Sequence, residues 1–152
     1  MEKKIKVYLE ASVISALFNE KNPERQNLTK KFFNIRKKFD VYVSEGALAE
    51  IDDTKDMYLK VKLRDTAISF EILPIDDECR RLAREYVKHG AIPTDYPEDA
   101  LHIAIPTINE IDYLLSWNFE HIVKMKIRRI VNIVNLSLGY PDLKIAIPAE
   151  LI

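Results

Sequence analysis

Glycine is scarce in this sequence: 152 residues hold only three, Gly46, Gly90 and Gly139, all far apart. A dinucleotide cofactor on a glycine-rich turn, or the phosphate cradle of a P-loop, needs several glycines close together after a strand, so both classes drop out. Cysteine is scarcer still. The single Cys79 excludes an intramolecular disulfide and a multi-cysteine zinc site, and it suits a reducing compartment. Neither charge is in excess, with 23 Lys and Arg against 24 Asp and Glu and a formal net charge of -1. The chain is therefore not a basic particle that coats nucleic acid, and an anionic partner must find a local patch. Long apolar runs are missing too: none nears the roughly 20 residues that span a bilayer, and the start lacks a signal-peptide core. The expectation is a soluble cytoplasmic protein without a membrane partner.

What is present is a 47% hydrophobic chain that alternates strand-like and helix-like stretches. Such material fits one globular domain over residues 1–152, built as a parallel sheet flanked by helices. Ile5 to Leu9 reads as the first strand and stops at Glu10, with a short helix from Ser12 to Asn19 behind it. A second helix opens at Pro23 and carries Lys30, Lys31, Arg36, Lys37 and Lys38 on its outer side, a solvated face in the first instance. Val41 to Val43 is a strand, after which Ser44 can cap a helix over Glu45 to Ile51. Further helices are predicted over Asp56 to Phe70, over Asp77 to His89 with Gly90 as left-handed cap, and over Phe119 to Val134. Short strands are predicted at Glu71 to Ile75 and Lys144 to Ile147.

The stretch from Tyr96 to Asn118 organises the rest. Pro97 and Asp99 suit the first turn of a helix, where a carboxylate is favoured by the dipole. Leu101, Ala104, Ile105 and Ile108 give that helix a buried stripe, and Pro106 predicts a bend near His102. The period then changes to the apolar run Asp112 to Trp117, a fourth strand that ends at Asn118. In an open parallel sheet the ligand site lies beyond the carboxyl ends of adjacent strands where the order reverses, so Glu10 and Asn118 are expected to converge. Asp99 and Glu50, on neighbouring helices, can complete a ring of polar groups. Acids gathered in this way, without a cluster of Cys or His, suit a hard divalent cation such as Mg²⁺ or Mn²⁺. A phosphoryl-accepting receiver domain would want paired acids after the first strand, and Glu10 stands alone.

The stretches VYLEASVISAL, SEGALAEI, EDALHIA and DYLLSWNFEHI, in that order and spacing, resemble the successive motifs of the PIN-domain family, in its VapC-like toxin branch. The resemblance runs from about Val7 to Ile122. It implies a three-layer α/β/α sandwich with a mostly parallel five-stranded sheet in the order 3-2-1-4-5. It also implies a metal-dependent endoribonuclease, the toxin half of a toxin–antitoxin pair, with Glu10, Glu50 and Asp99 at acidic metal-binding positions. Asn118 falls near a fourth acidic position. Implied partners are an RNA substrate, an antitoxin protein and a second copy of the chain. Two departures matter: Glu10 stands where Asp is usual, and Asn118 keeps an oxygen donor but no charge. A PIN-like module that binds RNA or protein without turnover is the alternative.

Around this core, Ser12 and Ser116 are expected to orient the acids or a water. Glu45, Asp52 and Asp53 compete with Glu50 for the inward position. His102 is read as a partly buried histidine bonded to backbone rather than a ligand, and Trp117 and His121 as core and surface. The cluster Lys124, Lys126, Arg128 and Arg129 follows Asn118 closely and is the candidate RNA-phosphate contact.

Overall fold

The computed structural model describes residues 3–152. Strands β1 (Lys6–Leu9), β2 (Asp40–Ser44), β3 (Glu71–Leu73), β4 (Tyr113–Leu115) and β5 (Lys144–Ala146) form one sheet in the order β3-β2-β1-β4-β5. Every pairing is parallel, so the sheet has the predicted order. Helices α1 (Ala11–Leu17), α2 (Pro23–Asn34), α3 (Glu45–Asp52) and α4 (Met57–Ala67) precede β3, while α5 (Asp77–Lys88), α6 (Pro97–Ile108) and α7 (Met125–Leu138) follow it.

The two-residue period of a strand sorts these helices into layers. On β1, Val7 and Leu9 join one core with Val13, Ile14, Phe32, Ile51 and Leu63 from α1 to α4. Tyr8 points the other way, into a second core with Leu82, Tyr86, Ile103, Ile105 and Val131 from α5 to α7. Both faces of the sheet are covered, which is why its strands read as apolar runs rather than alternating ones. At the short edge strand β3, Pro74 follows directly, where a missing N–H costs nothing.

Local signals set most boundaries. The Ser44 hydroxyl accepts the Ala47 N–H at 3.2 Å and caps α3, and Gly90 takes φ +81° just after α5. Two boundaries differ most: α2 ends at Asn34, so Arg36, Lys37 and Lys38 lie in a separate 3-10 turn rather than on that helix, and α7 starts late. Phe119 to Val134 was expected to be continuous helix, but α7 starts only at Met125 and runs on to Leu138. Asn118 is the cause: its Oδ1 accepts the His121 N–H at 3.0 Å and its carbonyl accepts those of Ile122 and Val123 at 3.1 and 2.8 Å. These bonds wind the chain into a turn that leaves Lys124 extended. α6 continues through Pro106, which stands in its last turn, beyond the segment that carries Asp99 and His102. No helix among the described residues is long and apolar enough to cross a membrane.

Candidate active site

Parallel register brings the carboxyl ends of β1 and β4 side by side, with Leu9 opposite Leu115 and the Glu10 N–H donating to the Leu115 carbonyl at 3.1 Å. The next residue on each strand carries polar chemistry: Glu10 after β1 and Ser116 after β4. Glu10 is buried, 6% exposed, at the start of α1. Its Oε2 accepts the Ser12 N–H at 3.0 Å, and its Oε1 accepts the hydroxyls of Ser12 and Ser116, each at 2.6 Å. Ser12 Oγ receives the Trp117 N–H and Ser116 Oγ receives the Asn118 N–H, both at 2.9 Å, so each serine spends its one hydrogen on Glu10. Ser12 and Ser116 thus fix the orientation of the Glu10 carboxylate.

The helix α3 turns Glu50 toward the same place. Glu45 instead accepts the Ile75 N–H at 3.3 Å, and Asp52 pairs with Arg64 at 2.8 Å on the outside. Glu50 Oε1 lies 2.8 Å from Nε2 of His102, a histidine 2% exposed on the apolar side of α6. His102 Nδ1 lies 2.7 Å from the hydroxyl of the fully buried Tyr8, which lies 2.7 Å from Ser44 Oγ. A carboxylate can only accept, so the His102 hydrogen sits on Nε2 and faces Glu50. The expectation for His102 is corrected here: its partners are two side chains, not backbone. Burial pulls the imidazole pKa down, but the Glu50 hydrogen bond and the charges of Glu10, Glu50 and Asp99 prevail and raise it.

One atom each of Glu10, Glu50 and His102 lie within 4.8 Å of one another. Asp99, in the first turn of α6, is half-buried beside them and has its own partner, His121 Nδ1, at 3.1 Å. The His121 ring lies against Tyr96, with centroids 3.9 Å apart, so it is a wall of the site rather than bare surface. Burial raises the Asp99 pKa, His121 opposes that, and the negative charges of Glu10 and Glu50 push it further up. Asn118 spends its side-chain oxygen on the turn that precedes Lys124.

Glu10 and Glu50 open onto a cavity of about 430 Å³, lined also by Ser15, Asn19, Asn22, Arg25 and Trp117. The arginine in this wall was not foreseen. Arg128 and Arg129 line a different groove, with Met125, Asn132, Tyr140 and Asp142.

An α/β/α sandwich with this strand order, and with acids at the carboxyl ends of β1 and the adjoining helices, is the architecture of a PIN domain. No protein-family profile matches the chain, and no curated protein matches it in sequence. Solved structures match it in fold. VapC20 of Mycobacterium tuberculosis, a toxin that cleaves the sarcin–ricin loop, superposes with a TM-score of 0.58 at 14% identity, over 90% of this chain and 97% of that one. A chain of VapBC2 from Rickettsia felis, from a complex bound to a DNA fragment of its promoter, gives 0.59 at 18%, over 91% and 96%. The chain has the VapC-like form of the PIN fold.

Proposed function

We propose that this protein is a Mg²⁺- or Mn²⁺-dependent endoribonuclease, a toxin whose partner is an antitoxin protein. The observation that carries the reading is the approach of Glu10 and Glu50 within 4.8 Å of each other, with the half-buried Asp99 in the first turn of α6 beside them. Carboxylates so placed repel, and a divalent cation relieves that repulsion. The donor set suits one. One oxygen each of Glu10 and Glu50 lie within 4.8 Å of each other, close to the roughly 4.2 Å between opposite ligands of an ion with oxygens at about 2.1 Å. His102 Nε2, the third atom of this group, donates to Glu50, so in this arrangement the free donors are carboxylate oxygens, as a hard ion prefers.

Such an ion, when bound, lowers the pKa of a water and neutralises charge on the phosphorus oxygens. The chain supplies the rest. Glu10, held by two serine hydroxyls and an N–H, would be a ligand of fixed direction. Glu50, 41% exposed at its side chain, faces the cavity and is aligned by His102. Asp99, in the first turn of α6 and paired with His121 Nδ1 at 3.1 Å, completes the acidic set.

Cleavage of single-stranded or structured RNA in Mn²⁺, lost in EDTA and lost in Glu10→Gln, is the expected result. Cleavage that survives both would refute it. A second reading, a binding module without turnover, draws on Asn118: it is uncharged, and its oxygen is engaged with the His121 N–H. Tight RNA binding with no cleavage in Mn²⁺ would favour that module.

A further inference from the structure

The cavity that opens on Glu10 and Glu50 has one cationic residue in its wall, Arg25, and its setting differs from that of a solvated surface arginine. Arg25 lies in the first turns of α2, half-buried, and its guanidinium carbon stands 5.4 Å from the ring centre of Trp117 and 5.1 Å from that of Phe119. Among the described residues it forms no salt bridge. Two aromatic faces support the guanidinium, and its edge and donors are not spent on a carboxylate among the described residues.

The aromatic support is itself fastened at both ends. Trp117 Nε1–H donates to Thr29 Oγ1 at 3.0 Å, and the Thr29 hydroxyl donates to the Arg25 carbonyl at 2.6 Å, one helical turn back. The Trp117 N–H donates to Ser12 Oγ, which donates to Glu10. A continuous chain of hydrogen bonds therefore sets the position of the Arg25 turn relative to the Glu10 carboxylate. Phe119 remains 43% exposed at the rim, so part of its surface is open to a further planar group.

Two opposite charges on one cavity impose a direction on what enters. The acids repel a polyanion unless a cation covers them, and the arginine attracts one. A phosphodiester strand satisfies both, with one phosphate toward the acids and a neighbouring phosphate on the guanidinium fork. Building on the nuclease reading, we infer that Arg25, laid over Trp117 and Phe119, is the phosphate clamp of the substrate subsite and that Phe119 offers a stacking face to an adjacent base. The ligand class is single-stranded RNA, read through backbone and base faces rather than base edges. Lys124, Lys126, Arg128 and Arg129 do not line this cavity, and Arg128 and Arg129 border a different groove.

The test reads RNA binding apart from cleavage: fluorescence anisotropy of a short labelled single strand in Ca²⁺, a hard ion that covers the acids, across a series of salt concentrations, with the strand checked to be intact and Mn²⁺ affinity measured separately. Arg25→Gln is expected to weaken binding about tenfold at low salt and to flatten the log–log salt slope by about 0.7, the value of one phosphate contact on a single strand, with Mn²⁺ affinity unchanged. Arg25→Lys should restore the slope but only part of the affinity, because it lacks the fork. Phe119→Ala should lose affinity with the slope intact. An Arg25→Gln slope equal to wild type overturns the clamp, even if affinity drops. The two readings fail separately: an Arg25-dependent slope without cleavage in Mn²⁺ keeps the clamp and removes the nuclease, whereas cleavage with an indifferent slope does the reverse. A wild-type protein that neither binds nor cleaves RNA removes both.

Discussion

Replacing Tyr8 by Phe removes one oxygen from the chain Ser44–Tyr8–His102–Glu50, and its cost follows from who is left unpaired. Tyr8 is fully buried and burial raises its hydroxyl pKa far above the usual phenol range, so the group keeps its proton and gives it to Ser44 or His102. Without it, Ser44 Oγ still receives the Ala47 N–H at 3.2 Å, and His102 still donates to Glu50 at 2.8 Å. His102 Nδ1, in a 2% exposed side chain, has nothing. One buried polar atom without a partner costs about 1–3 kcal/mol, reduced somewhat because the phenol oxygen no longer needs desolvation. We expect a loss of about 2 kcal/mol in urea denaturation, and about 4–8 °C in thermal midpoint for a chain of this size. A double-mutant cycle with His102→Gln isolates the contact: a coupling of at least about 0.5 kcal/mol is expected for directly bonded groups. If Tyr8→Phe is as stable as wild type, or the two changes simply add, the four residues are neighbours rather than a chain.

Two further outcomes concern pH and capping. The pKa of His102 is raised above its ordinary 6.5 on folding, so its stabilisation is fully present below that value and is lost as pH rises through the folded pKa; Asp99, also raised, acts with the same sign at lower pH. The metal-free protein should unfold at lower urea at pH 8 than at pH 6, and His102→Gln should flatten that window; an unchanged profile would mean that His102 does not titrate differently on folding. After β3, Asp76 caps α5 by accepting the Cys79 N–H at 2.9 Å, and this bond lowers its pKa below 3.8. Asp76→Ala should cost about 1 kcal/mol at pH 7, and the difference should shrink as the pH falls through the folded pKa; a constant difference down to pH 2 would assign the loss to something other than the carboxylate.

What the sequence made legible were features whose cause is local. Ser44 before Glu45, Gly90 after Lys88 and the apolar runs of β1 and β4 each carry their structural reason within a few residues. Topology was legible because a parallel sheet with crossover helices has few arrangements and the four motif stretches select one. The start of α7 was not, because Phe119, Ile122 and Val123 continue a helical spacing while Asn118 spends both its oxygens on winding a turn. Periodicity reports which faces are apolar and is blind to which acceptor a given N–H prefers.

The working parts of the site were hidden for a related reason. His102 reaches Glu50 across 52 residues and Tyr8 across 94, while Trp117 reaches Thr29 across 88. None of these partners can be named from spacing. A weaker signal was available: a histidine at i+3 from Asp99, on the apolar side of a helix, is buried, and a buried imidazole must have a partner for each nitrogen. That rule demands two polar groups near His102 without identifying them. Similarly, a single tryptophan next to a site serine demands an acceptor for its N–H, and Thr29 is one of several candidates. Counting what each buried polar atom still needs therefore predicts how many contacts the fold must supply, and only the sheet register, which brings Leu9 beside Leu115 and the two site residues Glu10 and Ser116 after them, decides which residues supply them.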